Sequence, residues 1–99
     1  MIGWIKEKLF GPSVDYTQMI ADGAILVDVR SAGEFSSGNA KGSINVPLDS
    51  IGHKVSKLKG LKKPIVTCCA SGMRSGVAAS KLKAEGLEAY NGGSWSKFS

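Results

Sequence analysis

The segment Ile65 to Gly76 reads IVTCCASGMRSG. Two adjacent thiols, Cys68 and Cys69, close an apolar run, and a polar loop, Ala70-Ser71-Gly72-Met73, carries the chain to Arg74 and Ser75. A cysteine here could be a nucleophile. The loop can curl so that its backbone N–H groups point inward as an anion-binding nest, and the start of the next helix adds partial positive charge. That field stabilises a thiolate, so Cys69 is expected to ionise below the range of a free thiol. Gly72 permits a backbone conformation that a side chain resists. Arg74 is expected to add a fixed charge that steers an anionic substrate, and Ser75 to cap the helix and donate a hydrogen bond. Cys68 lies inside the apolar run and reads as a small buried hydrophobe.

The two cysteines cannot be a structural staple, because a disulfide between neighbours is badly strained. The same strain weighs against a redox sensor in which one thiol resolves the other. With two Cys and one His, His53, the chain also falls short of a four-ligand zinc site. Reduced thiols point to a reducing compartment. The amino-terminal MIGWIKEKLFG has no apolar run long enough for a signal-peptide core. A cytoplasmic location is the expectation.

The elements that must position this segment are short. Asp15 can cap a helix starting at Tyr16, with Gln18 reaching back, Val14 stapled onto Met19, and Gly23 as the stop. Ala24–Val29 is an apolar, β-branched run suited to a strand buried on both faces. Residues 31–42 are rich in Gly, Ser and Asn and read as turns. Ser43–Leu48 is a second strand, ended by Pro47. Ile51, Val55 and Leu58 mark a helix capped by Asp49 or Ser50 and stopped by Gly60. Ile65–Cys68 is a third strand. A helix rich in small residues (Gly76, Ala78, Ala79) runs to Gly86. Leu87–Tyr90 is a last strand, closed by Asn91-Gly92-Gly93. Strands alternating with helices imply an α/β domain with a mainly parallel sheet. In such a sheet ligands collect at the carboxyl ends of strands, where Cys69 stands.

The division expected is a short amphipathic segment over 1–12 and one domain over 13–99. In the first, Ile2, Ile5 and Leu9 share a helical face beside Trp4. This favours a helix packed on its own domain over membrane contact through residues 1–10, since so short a segment holds a bilayer weakly. Composition limits the remaining function classes. Ninety-nine residues at 42% apolar and 21% charged make one globular core, and no stretch approaches the roughly 20 apolar residues of a membrane span. The net charge is +5, but eleven of the thirteen cations are scattered Lys without interleaved aromatics. Only Arg30 and Arg74 offer a planar fork, so no nucleic-acid partner is expected, only a mild attraction for anions.

Four pieces of the chain together resemble a known family. They are Leu26-Val27-Asp28-Val29-Arg30 with Glu34-Phe35, then Gly38-Asn39-Ala40-Lys41-Gly42-Ser43-Ile44-Asn45-Val46-Pro47-Leu48, then Cys69 to Ser75, and Asn91-Gly92-Gly93-Ser94-Trp95. In this order, over about residues 14–98, they resemble a single-domain rhodanese. The resemblance implies a doubly wound α/β fold with a central five-stranded parallel sheet, and a persulfide on Cys69. The family usually carries His and Ile at Asn39 and Ala40, and often more residues before Trp95. Trp95 either lines the pocket mouth or packs against the amino-terminal segment. The residues matching Asp28, Arg30 and Glu34 are mostly structural in the family, and Arg30 with Glu34 reads as an ion pair.

The activity implied is a two-step sulfur transfer. Cys69 takes sulfane sulfur from thiosulfate or a persulfide, and the amides of Ala70, Ser71, Gly72, Met73, Arg74 and Ser75 hold it. A thiol or cyanide acceptor, or a protein thiol, then removes it. No metal or organic cofactor is needed. A rival reading counts Cys-x5-Arg from Cys68, the spacing of rhodanese-like phosphatases and of arsenate reductases that use such a loop. Against it, Gly72 falls three residues after Cys69, Thr67 stands where those phosphatases often place His, and the loop has no Asp to act as an acid. A non-catalytic, partner-binding rhodanese module is the third reading; the presence of Cys69 weighs against it.

Overall fold

The computed structural model describes residues 15–99, so the expected segment 1–12 and the Val14–Met19 staple lie outside it. Asp15 does cap helix α1 (Tyr16–Ala21), its Oδ1 accepting from the Gln18 amide at 3.0 Å. Gln18 does not reach back as a capping box requires. Its Nε2 donates forward to Asp22 at 3.0 Å, and Gly23, at φ +114°, turns the chain out of the helix.

Strands β1 (Ile25–Asp28), β2 (Ile44–Asn45), β3 (Ile65–Cys69) and β4 (Ala89–Ser94) form one sheet in the order β2-β1-β3-β4, with every pair parallel. Among the described residues the sheet has four strands, one fewer than the resemblance implies. The intervening stretches are helices and turns with no further apolar, β-branched run to add. β2 is also shorter than the expected Ser43–Leu48, although the Val46 and Leu48 amides still donate to the carbonyls of Asp28 and Val29 at 3.0 Å before the chain turns into a 3-10 helix. From β1 the chain steps out to β2, crosses back to β3 and goes on to β4. The winding reverses between β1 and β3, and the carboxyl ends of those two strands frame the crevice where ligands of such sheets settle.

The other three helices also depart from expectation. Residues 31–42 contain helix α2 (Ala32–Ser37) rather than turns alone. Gly33, Ser36 and Ser37 are poor helix formers, but a capping box overrides them. Ser31 Oγ accepts from the Glu34 amide at 3.2 Å, and Glu34 Oε1 accepts from the Ser31 amide at 3.1 Å. Helix α3 (Ile51–Gly60) is entered through a 3-10 turn at Leu48–Ser50, so neither Asp49 nor Ser50 supplies a side-chain cap. Gly60 is its last residue rather than its stop, and Lys62, at φ 55°, makes the exit. Helix α4 (Met73–Ala84) has Gly72 at its cap position, which places Ser75 inside the first turn instead of at the cap.

β4 runs through Asn91-Gly92-Gly93, which was expected to close it at Tyr90. A Cβ on Gly92 would lie 2.7 Å from Val66 Cγ1 and 2.9 Å from the Thr67 carbonyl oxygen. Glycine therefore lets β4 press against β3, and the register slips between Thr67 and Cys69 so that Cys69 pairs with Ser94. The core has two halves, one on each sheet face. Val27, Val29, Ile51, Ile65, Ala78 and Leu82 pack on the side of α3 and α4; Leu26, Val66 and Cys68 pack against Met19, Trp95 and Phe98 on the other. Among the described residues no helix is long and apolar enough to cross a membrane.

Candidate active site

Cys69 is the last residue of β3, and its side chain falls on the α4 face of the sheet. The turn that follows wraps around its sulfur. The Gly72 amide donates to Sγ at 3.0 Å and the Ser75 amide at 3.4 Å; the thiol itself donates to Ser75 Oγ at 3.4 Å. Gly72 makes this possible, because its φ of +103° tips its amide inward, and a Cβ there would press on Gly93 Cα at 3.4 Å. The Met73 amide goes elsewhere, to Ser71 Oγ at 3.3 Å, and among the described residues no hydrogen bond runs from Ala70 to the sulfur. Gly72 and Ser75 are thus the members of the expected loop that hydrogen-bond to the Cys69 sulfur.

Burial is the largest single influence on the Cys69 thiol and pushes its pKa up. The Ser75 hydroxyl, once its proton turns to the sulfur, and the amides of Ser75, Gly72 and Ser71 together outweigh it, so Cys69 is held below its ordinary value of 9.0. Cys68 behaves oppositely. Burial, reinforced by the charge of Asp28, pushes its thiol up to about 12. The reason is the strand pleat, which sends consecutive side chains to opposite faces. Cys68 is in the core half away from the loop, and the two sulfurs are not a redox pair.

Both arginines have partners other than those expected. Arg30 does not pair with the Glu34 carboxylate. Its Nη2 is 2.7 Å from Asp28 Oδ2, its Nε is 3.0 Å from both Asp28 oxygens, and it donates to the carbonyls of Gly38 and Glu34. The ring of Trp95 covers this buried pair, with the Arg30 Cζ 4.5 Å from the ring centroid. Trp95 therefore packs over Arg30 and Gly38, on the face away from α4. Arg74, expected to reach for a substrate, instead forms a two-pronged pair with Glu34 at 2.7 and 3.0 Å. The pair ties the start of α4 to α2 and is half-exposed.

Asn91 is a member of the site that sequence reasoning missed; its one signal was its place before Gly92-Gly93. Its Nδ2 donates to the Gly72 carbonyl at 3.0 Å, and its Oδ1 accepts from Ser75 Oγ at 2.6 Å and from the Gly93 amide at 3.0 Å. The buried Thr67 hydroxyl adds a second brace, donating to the Ser75 carbonyl at 2.8 Å. Two cavities flank the loop. One, of about 630 Å³, is lined by Val29, Ser31, Leu48, Asp49, Arg74 and Lys81. The other, of about 510 Å³, is lined by Tyr16, Ser71, Gly72, Asn91, Gly93 and Lys97.

Comparison with known proteins agrees with this architecture. An uncharacterized protein of Bacillus subtilis, YqhL, is 36% identical over 69 residues, which are 69% of this chain and 54% of that protein, so the chain spans about half of its relative's length. The solved structure of a rhodanese with anions from E. coli shares the fold with a TM-score of 0.69 at 24% identity, over 75% of this chain and 89% of that one. A human single-domain sulfurtransferase, TSTD1, matches with a TM-score of 0.63 at 25% identity, over 79% and 84%. The profile of the rhodanese-like domain matches residues 14–99, which take in every element from α1 onward. With the fold, the loop and this match in agreement, the chain belongs to the rhodanese-like domain family.

Proposed function

We propose that the protein is a sulfurtransferase that carries sulfane sulfur on Cys69. The observation that bears most weight is the Gly72 amide 3.0 Å from Sγ, joined by the Ser75 amide, in a turn that has no other use for those donors. The Cys69 thiolate attacks the outer sulfur of thiosulfate. The bond between the two sulfurs of the donor breaks, and sulfite leaves with the electron pair. The persulfide on Cys69 then carries the negative charge on its terminal sulfur, within reach of the same amides. A thiol or cyanide attacks that sulfur, and the Cys69 thiolate is released. No cofactor takes part. Arg74 serves by holding Glu34, which leaves charge stabilisation to the main chain.

The human relative is named a single-domain sulfurtransferase, which favours this chemistry for the fold. The test is intact mass after incubation with thiosulfate. A gain of one sulfur atom, removed by cyanide and absent in Cys69→Ser, is the expected result. No adduct, with hydrolysis of an aryl phosphate, would assign the loop to phosphate chemistry instead. No adduct and no hydrolysis would make the domain a binding module.

A further inference from the structure

The contacts of Asn91 fix the direction of a hydrogen-bond chain that ends on the Cys69 sulfur. An amide side chain can be placed either way round, and its partners decide. Here two of them agree. The Gly72 carbonyl, 3.0 Å away, needs a donor, so Nδ2 faces it; the Gly93 amide, also 3.0 Å away, needs an acceptor, so Oδ1 faces that. Oδ1 is then also the atom 2.6 Å from Ser75 Oγ. It can only accept, so the single Ser75 hydroxyl proton is spent on Asn91. What Ser75 turns toward the sulfur, 3.4 Å away, is a lone pair.

That arrangement suits a thiol, whose proton can be donated to Ser75 Oγ. It does not suit a thiolate, which has no proton to give and needs donors. The Ser75 hydroxyl can serve the ionised sulfur only by rotating its proton off Asn91. We infer that Asn91 is a positioning residue that sets the ionisation of Cys69 by competing with its sulfur for the Ser75 hydroxyl proton. The inference rests on Cys69 as the working thiol, but it concerns ionisation and not turnover. Ser75 is fully buried, so no bulk water reaches in to replace the contested proton. The other charged or titratable groups near the sulfur are Arg74 of α4 with Glu34 of α2, the Asp28–Arg30 pair at the end of β1, Cys68 of β3, and Lys97 beyond β4. None of them hydrogen-bonds to the side chain of Ser75 or Asn91 among the described residues.

The experiment follows thiolate absorbance against pH, with Cys68→Ala as the background so that one thiol titrates. Asn91→Ala frees the Ser75 proton, and the midpoint is expected to fall by about one to two pH units, the size of one hydrogen bond to a charged group. Asn91→Asp loses the same donor to the Gly72 carbonyl but keeps the oxygen that holds Ser75, so its midpoint should not fall. In a Ser75→Ala background, Asn91→Ala should no longer lower the midpoint. An unchanged or raised midpoint in Asn91→Ala, a fall in Asn91→Asp, or a shift that survives without the Ser75 hydroxyl would each overturn the inference. A failure to load sulfur from thiosulfate would count against the sulfurtransferase reading alone.

Discussion

Glu34 and Arg74, forty positions apart, meet fork to fork, Oε1 on Nη1 at 2.7 Å and Oε2 on Nη2 at 3.0 Å. The same Glu34 closes the capping box of α2 through Ser31. One carboxylate therefore starts one helix and anchors the start of another. Arg74 is the first influence on it, then Ser31, and together they hold the Glu34 carboxyl down at about 2, against an ordinary 4.5.

The acid limb of the stability curve should report this pair. A carboxylate with a depressed folded-state pKa stabilises fully above its unfolded value and loses that contribution as pH falls through the folded one. For Glu34 the window runs from about 4.5 down to about 2. Glu34→Gln keeps an oxygen for the Ser31 amide but not the charge. Urea midpoints measured across that window should fall less steeply in Glu34→Gln than in the parent chain. Parallel curves would mean that the pair contributes nothing to stability.

Removing the buried cation should cost far more than removing the half-exposed one. Arg30→Leu leaves the Asp28 carboxylate fully buried with its main partner gone. Breaking a buried pair from one side costs about 3–5 kcal/mol. Thermal unfolding of Arg30→Leu should show a loss of that order, and Arg74→Leu a loss below about 1 kcal/mol, the usual worth of an exposed pair.

The two cysteines should separate cleanly in sulfur loading. Cys69→Ser is expected to abolish the sulfur adduct from thiosulfate, and Cys68→Ala to retain it. Because Cys69 is held below 9.0 and Cys68 is pushed up to about 12, the loading rate should rise with pH through a single midpoint below 9.0 and level off above it. Equal loss in both variants would contradict the assignment.

Gly72→Ala tests the inward amide. A side chain at φ +103° is strained by about 1–2 kcal/mol, and its Cβ would press on Gly93. The strain is relieved by turning the peptide, which withdraws the amide from the sulfur. A lost hydrogen bond of ordinary net worth is roughly tenfold in rate. Single-turnover loading from thiosulfate should slow by about that factor or more, while the urea midpoint falls modestly.

Much of the fold is legible in the residues themselves. Ala24–Val29 and Ile65–Cys68 are largely apolar, β-branched and bounded by polar or turn residues, which is what a strand buried on both faces demands, and the observed strands differ from them by one residue at each altered end. The place of Cys69 at a strand end followed from the same reading. The arginine partners did not. Arg30 and Glu34 stand four apart, the spacing of a helical pair, but Arg30 precedes the cap of α2, so helical spacing has no meaning there. Its side chain turns back to Asp28 beneath Trp95 instead. The Asn91 contacts were equally hidden, because they depend on β4 continuing past Tyr90 and slipping its register against β3. That slip follows from a close approach at Gly92, which local patterning does not encode.

The pleat of β3 has one more effect. The chain holds just two thiols, and they sit on opposite sides of a sheet. If Cys69 carries sulfur as proposed, Cys68 is turned away from it across the sheet and offers no inner route for unloading. Discharge would then wait on an acceptor that comes to the mouth of the turn, and the visiting rate of that acceptor would set how long the sulfur stays in place.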